Sequence, residues 1–333
     1  FMNTEYKDEK IDFVIPFVDG ADPAWYAKKL QYSGKLPGDE NVNRYRDWGT
    51  LKYWFRGVEK YAPWVNKVYF ISDNQIPEWM NTECTKLQIV DHKDYIPSEY
   101  LPTFSSHPIE LNMHRINGLS ETFVYFNDDC FLTKPVEKSL FFKDGIPCDS
   151  PILSPIIMER KDCVGKICAN NMGVINTHFQ KKDVMRNKRK WYSLKYCKKL
   201  LRTLFLTPWH HLTGFYNDHL PQPFLKSTFE TVWEKEPALL KEVSSHKFRD
   251  YDRDVNQWLF RYWQFCEENF EPISPNRGKC FTDVCEETLD AIRTQKYAMI
   301  CINDSTEGNY EIYRDKLIEA FQSMLPEKSS FEK

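Results

Sequence analysis

Glycine is scarce in this chain, 12 of 333 residues, and it never falls into the patterns G-x-G-x-x-G or G-x-x-x-x-G-K-[ST]. A dinucleotide fingerprint and a Walker phosphate loop are therefore both excluded. No apolar run approaches the roughly 18 residues that a membrane-spanning helix needs. The early apolar stretch 11–18 is too short for a signal peptide and lacks a small-residue cleavage site, so no export signal is expected. None of the ten cysteines forms a C-x-x-C pair, and no close histidine pair completes a zinc set. The expectation is reduced, mostly buried thiols in a cytoplasmic protein. A dominant charge sign is missing too: 45 Lys and Arg against 48 Asp and Glu leave a net charge of −3. That argues against a general nucleic-acid binder, and no nucleic-acid partner is expected.

What the chain does have is apolar mass. Hydrophobic residues make up 41% and aromatics 15%, which excludes wholesale disorder. The length suits one large or two ordinary domains.

The first 130 residues alternate between two periods. Short apolar runs at 11–18, 68–71, 87–90 and 123–126 read as buried strands. Residues 47–61 carry Leu51, Trp54, Phe55 and Val58 at helical spacing, and 108–119 reads as a helix with Pro108 in its first turn. Strand and helix in alternation predict an α/β fold with a Rossmann-like, largely parallel sheet. The remainder is expected to be a helical C-terminal region packed on that core. Helices are predicted over 227–243, split or kinked at Pro237, over 255–270 and over 310–324, with 271–295 loop-rich. Three regions follow: an α/β core at 11–180, a basic segment at 181–210, and a helical region at 211–326.

The basic segment stands out against the near-neutral whole. Between Lys181 and Arg202 there are ten Lys and Arg against Asp183 alone, with Trp191, Tyr192, Leu194 and Tyr196 interleaved. This reads as an amphipathic helix on an anionic membrane surface, contacting it through Lys188, Arg189, Lys190 and Trp191. A solvated basic face and a site for an acidic polymer are the alternatives.

Chemistry is expected where the strands end. Ligands of parallel sheets bind beyond the carboxyl ends. All four candidate strands close on polar clusters: Asp19-Gly20-Ala21-Asp22, Asp73-Asn74-Gln75, Asp91-His92 and Asn127-Asp128-Asp129. The adjacent carboxylates of Asp128 and Asp129 suit a hard divalent cation, Mg or Mn, which keeps phosphate oxygens as partners. A strand-terminating Asx turn is the inert alternative. From these features the chain reads as an α/β enzyme acting on a phosphorylated or nucleotide-linked substrate.

Longer motifs sharpen this. The stretch IDFVIPFVDGAD at 11–22 resembles the first signature block of the Stealth family, sugar-1-phosphate transferases of bacterial capsule and exopolysaccharide synthesis. The animal lysosomal N-acetylglucosamine-1-phosphotransferase shares their catalytic core. A second block resembles LKYWFR at 51–56, YAPW at 61–64, NQIPEW at 74–79, LPTFSS at 101–106, His114-Arg115, GLS at 118–120 and NDD at 127–129. A third covers HLPQPF at 219–224 and HKFR at 246–249, and a fourth CIND at 301–304. Asp19 stands where the animal enzyme carries Asn. The stretches 191–206 and 213–216 are closer to bacterial members, which points to a polysaccharide enzyme.

The resemblance implies a UDP-sugar donor and a saccharide or lipid-linked oligosaccharide acceptor. The acceptor hydroxyl attacks the phosphorus attached to the sugar, UMP leaves, and a phosphodiester forms (a hexose-1-phosphate transferase of the EC 2.7.8 type). It further implies Asp129, His219, Arg249 and Arg115 as catalytic residues, with His219 the base and the arginines neutralising phosphate charge. Asp19, Gly20, Asp22, Arg46, Arg56, Asn74 and Gln75 would bind the donor, and Asp128, Asp129 and Asp304 the metal. A structural hydrogen bond for His219 and a buried ion pair for Arg249 are the inert alternatives. A conventional glycosyltransferase releasing UDP and a non-catalytic saccharide-binding protein of a capsule assembly complex remain as other readings. The expected location is the cytoplasm, peripheral on the inner face of the cell membrane.

Overall fold

The computed structural model describes residues 10–33, 45–304 and 309–333. Strand β1 (Ile11–Pro16) is the centre of the molecule. Its alternate side chains go to opposite faces. Ile11, Phe13 and Ile15 enter one apolar cluster, and Val14 enters the other. Asp12, although fully buried, accepts hydrogen bonds from Asn66 Nδ2 (2.7 Å), Lys67 N (3.1 Å) and Ser120 N (2.8 Å). A buried carboxylate is tolerated only when satisfied in this way, and here it ties together the chain before two neighbouring strands.

Those strands follow the expected alternation. After α1 (Pro23–Ser33) and α2 (Leu51–Tyr61) come β2 (Val68–Ser72) and β3 (Leu87–Asp91), then α3 (Ser106–Leu111) and β4 (Thr122–Tyr125). Beyond β5 (Cys130–Leu132), β6 (Phe142–Lys143) and β7 (Ile146–Asp149) the chain is helical. It runs through α4 (Val164–His178), α5 (Lys181–Val184), α6 (Lys188–Trp191) and α7 (Leu200–Leu206) to β8 (Gln222–Leu225). The principal sheet has the order β3-β2-β1-β4-β8. Its first four strands are parallel, with Phe13 opposite Val68 and Ile11 opposite Thr122, and β8 runs antiparallel to β4. The fold is thus α/β with a mainly parallel, Rossmann-like sheet.

The C-terminal region is mostly helical but is not only that. α8 (Lys226–Lys235), α9 (Pro237–Ser245) and α10 (Trp258–Cys266) pack on one face of the sheet. Pro237 does split the expected 227–243 helix, because it opens α9. Every residue of α10 is buried, including Arg261, whose guanidinium is held by Asp149 at 2.7 and 2.8 Å. Next come β9 (Glu271–Pro272), β10 (Gly278–Phe281), α11 (Glu286–Arg293), β11 (Met299–Ile302) and α12 (Asn309–Met324). A second sheet, β10-β11-β5, sets Cys280 opposite Cys301 and Cys301 opposite Cys130.

Three expectations need correction. The 108–119 helix is shorter: α3 ends at Leu111 because Asn112 Nδ2 takes the Pro108 carbonyl (2.8 Å) that a continuing helix would use. Residues 271–295 are not loop throughout. They hold β10 and α11, the latter started where Cys285 N bonds to Thr288 Oγ1 (3.4 Å) and fixed by buried Leu289 and Ile292. Residues 181–210 are not one amphipathic helix but α5, α6, a 3-10 turn and α7, with a left-handed kink at Cys197 (φ 53°). Trp191 is fully buried, and Lys190 Nζ binds the carbonyls of Glu268 (3.2 Å) and Phe270 (2.7 Å). Lys181, also buried, caps the far end of the segment through the carbonyls of Leu206 (2.7 Å), Thr207 (3.1 Å) and Trp209 (2.8 Å). Among the described residues no helix is long and apolar enough to cross a membrane.

Candidate active site

The carboxyl ends of β1, β2, β4 and β11 open into one cleft of about 440 Å³. Asp73 follows β2, Asn127-Asp128-Asp129 follow β4, and Asn303-Asp304 follow β11. Arg46, Asp47, His107, His219 and Arg249 close the remaining sides. Residues far apart in the chain, Asp129, His219 and Arg249, therefore share one space.

Asp129 is the hub. Its Oδ2 lies 3.5 Å from His219 Nε2. Its two oxygens also receive thiols, Oδ1 from Cys130 Sγ and Oδ2 from Cys301 Sγ, each at 3.4 Å. Burial raises both of these thiols, Cys130 to about 12, so they hold protons and act as donors. For Cys301 the mutual hydrogen bonding among Cys130, Cys301 and Cys280 contributes more than burial does. His219 itself adopts φ 43°, a left-handed conformation that costs a residue with a Cβ about 1 kcal/mol or more. Burial alone would lower the His219 pKa, but the hydrogen bond and charge of Asp129 more than reverse this, up to about 9.

The second carboxylate behaves differently. Asp128 keeps contact with solvent, yet the cleft walls and then the charge of Asp129 push it up to about 7. Asp47, missed by sequence reasoning, adds to this crowding, and its own pKa is raised mainly by burial. Asp304 pairs through Oδ2 with Arg46 Nη1 (3.3 Å) and Trp48 Nε1 (3.2 Å), while its buried Oδ1 has no hydrogen-bond partner among the described residues. The cleft thus concentrates uncompensated carboxylate oxygen, which fits a hard divalent cation. Asp128, Asp129 and Asp304 do not draw together within ligand distance of one another. Among the described residues the side chains that do are Asp129, Cys130 and Cys301, all within 4.8 Å. Protonated thiols do not suit a cation such as Mg, so any hard ion belongs on the carboxylate side of Asp129.

Arg249 also lines the cleft and is exposed, with Nη2 donating to Ser106 Oγ at 2.9 Å. A His–Asp–His cluster that the sequence does not disclose is centred on a buried carboxylate. Asp254 accepts from His246 Nδ1 (2.6 Å) and His107 Nδ1 (2.7 Å) and itself has no solvent exposure. It is held ionised, because its histidine partners outweigh the penalty of burial. The signal was present as His107, His246 and Asp254, but nothing in their spacing ties 107 to 254.

The other predicted site residues separate into rim, scaffold and elsewhere. Gln75 staples two strand-end loops: its Nε2 donates to Asp19 O (2.9 Å) and Asp22 Oδ2 (3.1 Å), and its Oε1 accepts from Asp19 N (2.9 Å). That bond holds the Asp22 carboxyl below its usual range, and Asp22 also caps α1 through Ala24 N (2.9 Å). Gly20 is required because a Cβ there would meet Tyr45 Cβ at 2.3 Å. These residues and Asn74 shape the rim without lining the cleft. Arg56 is not a donor ligand. It is buried on α2 and grips Glu332 with two 2.8 Å bonds and Leu325 O with another at 2.8 Å. Arg115 does not reach the cleft either: its Nε bonds to Asn112 Oδ1 (3.0 Å) and its guanidinium lies over the Trp233 ring at 4.7 Å. Of the expected membrane contacts, Lys188 and Arg189 are exposed, whereas Trp191 is core.

Residues 44–148 match the family described as Stealth protein CR2, conserved region 2. Over 332 residues the chain is 43% identical to the receptor polysaccharide phosphotransferase WefC of Streptococcus oralis, covering 97% of this chain and 99% of that one. It is 42% identical to a capsular polysaccharide phosphotransferase WcwK of Streptococcus pneumoniae, covering 98% of each chain. It is 40% identical to the exopolysaccharide phosphotransferase cps2G of Lactiplantibacillus plantarum, covering 97% of this chain and 96% of that one. A solved galactosyltransferase, LgtC with donor and acceptor sugar analogues, aligns over 96% of this chain and 98% of that one. At 9% identity and a TM-score of 0.40, it is too distant to bear on the chemistry.

Proposed function

This chain belongs to the Stealth family, alongside the capsular, receptor and exopolysaccharide phosphotransferases, and from that footing we propose its reaction. A hydroxyl of a saccharide acceptor attacks the sugar-bearing phosphorus of a UDP-sugar. The bond between that phosphorus and the bridging oxygen breaks, UMP leaves, and a phosphodiester links the two sugars. The anomeric C–O bond survives, so the donor's anomeric configuration is retained.

The observation that supports this best is the shared cleft of Asp129, His219 and Arg249. Neutral His219 takes the proton of the attacking hydroxyl, and Asp129 stabilises the imidazolium that forms. Arg249, whose fork can hold two oxygens, neutralises phosphoryl charge within the same cleft. Arg46 and Asp304 flank the donor side. A divalent cation, Mg or Mn, would be held by Asp128 and the free side of Asp129, with Asp304 nearby, and would neutralise diphosphate charge. The proposed setting is the cytoplasmic face of the membrane, where activated donors are made.

The discriminating experiment incubates the protein with a panel of UDP-sugars, an acceptor saccharide and a divalent ion, then identifies the released nucleotide. UMP is expected. Stoichiometric UDP would replace this reading with anomeric-carbon transfer, and no turnover with any donor would point to a binding protein.

A further inference from the structure

Helix α7 is apolar on both faces. Inward, Leu206 packs against the core and Thr203 is fully buried, its Oγ1 accepting from Leu153 N at 3.1 Å. The outer face is apolar too. Leu201, Leu204 and Phe205 are 54%, 47% and 74% exposed, at the i, i+3, i+4 spacing of a single stripe. Leu194 (87% exposed) precedes the stripe and Trp209 (58%) follows it. Lone exposed apolar residues need no explanation, but a contiguous row of this size marks a contact surface.

The charge around the row says what kind of surface it meets. Lys195, Lys198 and Arg202 are exposed beside it, in a segment that carries ten cations against one acid while the whole chain is at −3. Aliphatic and aromatic side chains rimmed by lysine and arginine, with a tryptophan at the edge, match an anionic lipid interface. We propose that α7 docks this protein on an anionic bilayer, inserting Leu201, Leu204 and Phe205, with Trp209 at headgroup level.

The same face leads to the cleft. Arg202 Nη1 lies 3.4 Å from Ser154 Oγ, at the start of a loop that exposes Ile157 (79%) and Met158 (55%). That loop abuts the first turn of α4, where Val164 is 52% exposed and lines the cleft wall. Docking through α7 therefore sets the cleft mouth beside the lipid surface, where a saccharide carried on a lipid would present its hydroxyl. This last step rests on the proposed reaction, whereas the docking itself does not.

The test is sedimentation of the full chain with vesicles of phosphatidylcholine alone or phosphatidylcholine mixed with phosphatidylglycerol. The expected result is salt-sensitive binding to the anionic vesicles, reduced about 10-fold or more in the double variant Leu201→Glu, Phe205→Glu. Turnover of a soluble acceptor should stay within about twofold. Circular dichroism confirms folding, and Lys198→Glu with Arg202→Glu, which leaves the apolar stripe intact, should also weaken binding. Vesicle binding unchanged in both double variants overturns the proposal, as does a wild type that ignores anionic vesicles. Self-association lost in the first double variant, without vesicle binding, would assign the face to a second copy instead. Vesicle binding is read without any donor, so its failure is separate from a failure of the phosphotransfer reading.

Discussion

The thiol of Cys301 lies 3.4 Å from Oδ2 of Asp129, a carboxylate 172 positions earlier in the chain. Together with Cys130 on the paired strand, it makes the Asp129 carboxylate the end of a row of thiols running across a small sheet. Loss of one hydrogen bond to a charged group costs about 1.5–3 kcal/mol. Cys301→Ala should therefore lower kcat by about 10- to 100-fold with a smaller change in donor KM, and Cys301→Ser should recover most of it. Steady-state kinetics on the three proteins decides this, and equal loss in Ser and Ala would remove the positioning role.

Two titrations frame the pH dependence. Asp128 gives up its proton as pH rises through about 7, and His219, held up by Asp129, does so near 9. A base must be neutral, so only about 1% of His219 is ready at pH 7. In the free enzyme kcat/KM should rise steeply below about 7, by tenfold per unit from there to about 9, and then level off. In Asp129→Asn the His219 pKa read from an NMR titration should fall to about 6.5 or below, because burial then acts without the carboxylate. The linked stability runs the opposite way. The raised His219 pKa stabilises the fold fully below about 6.5, and that contribution is lost as pH rises through about 9.

Two arginines should separate cleanly. Arg249 lines the cleft and Arg115 lies over Trp233. Arg249→Lys keeps the charge but loses the planar fork, so kcat/KM should drop by about 10- to 100-fold. Arg115→Ala should retain turnover within about threefold. Comparable losses at both positions would mean that the cleft boundary is drawn wrongly.

The Arg56–Glu332 pair is a matter of stability rather than catalysis. Both side chains are almost fully buried, at 6% and 3% exposure, and the bond is bidentate. Glu332→Ala leaves a buried guanidinium unpaired and should cost about 3–5 kcal/mol in urea unfolding. Activity per folded molecule should be unchanged.

Much of the site could be read from the sequence, because strand ends are local features. The apolar runs ending in Asp19, Asp73 and Asn127 were visible as strand followed by turn, and the parallel sheet follows from their alternation with helices. What could not be read was anything set by side-chain partners distant in the chain. Arg56 and Arg115 look like phosphate ligands until Glu332 and Trp233 are seen beside them. Trp191 fits an interfacial helix only while Phe270, which packs edge-on against it with ring centres 5.7 Å apart, is out of view. Asp254 is anonymous until His107 arrives from 147 residues away. Helix α11 was hidden for a different reason: it is short and mostly polar, and just two of its apolar side chains, Leu289 and Ile292, mark its period.

The buried ammonium of Lys181 gathers three carbonyls from the far end of α7 and its following turn. This makes α7 an outrigger bolted to the body rather than a float on a tether. On the proposed docking a bolted outrigger has a fixed height: the cleft rides at one set distance from the plane the helix rests on. Such a machine reads position as well as chemistry, and two identical sugars at different distances from that plane would not be equivalent to it.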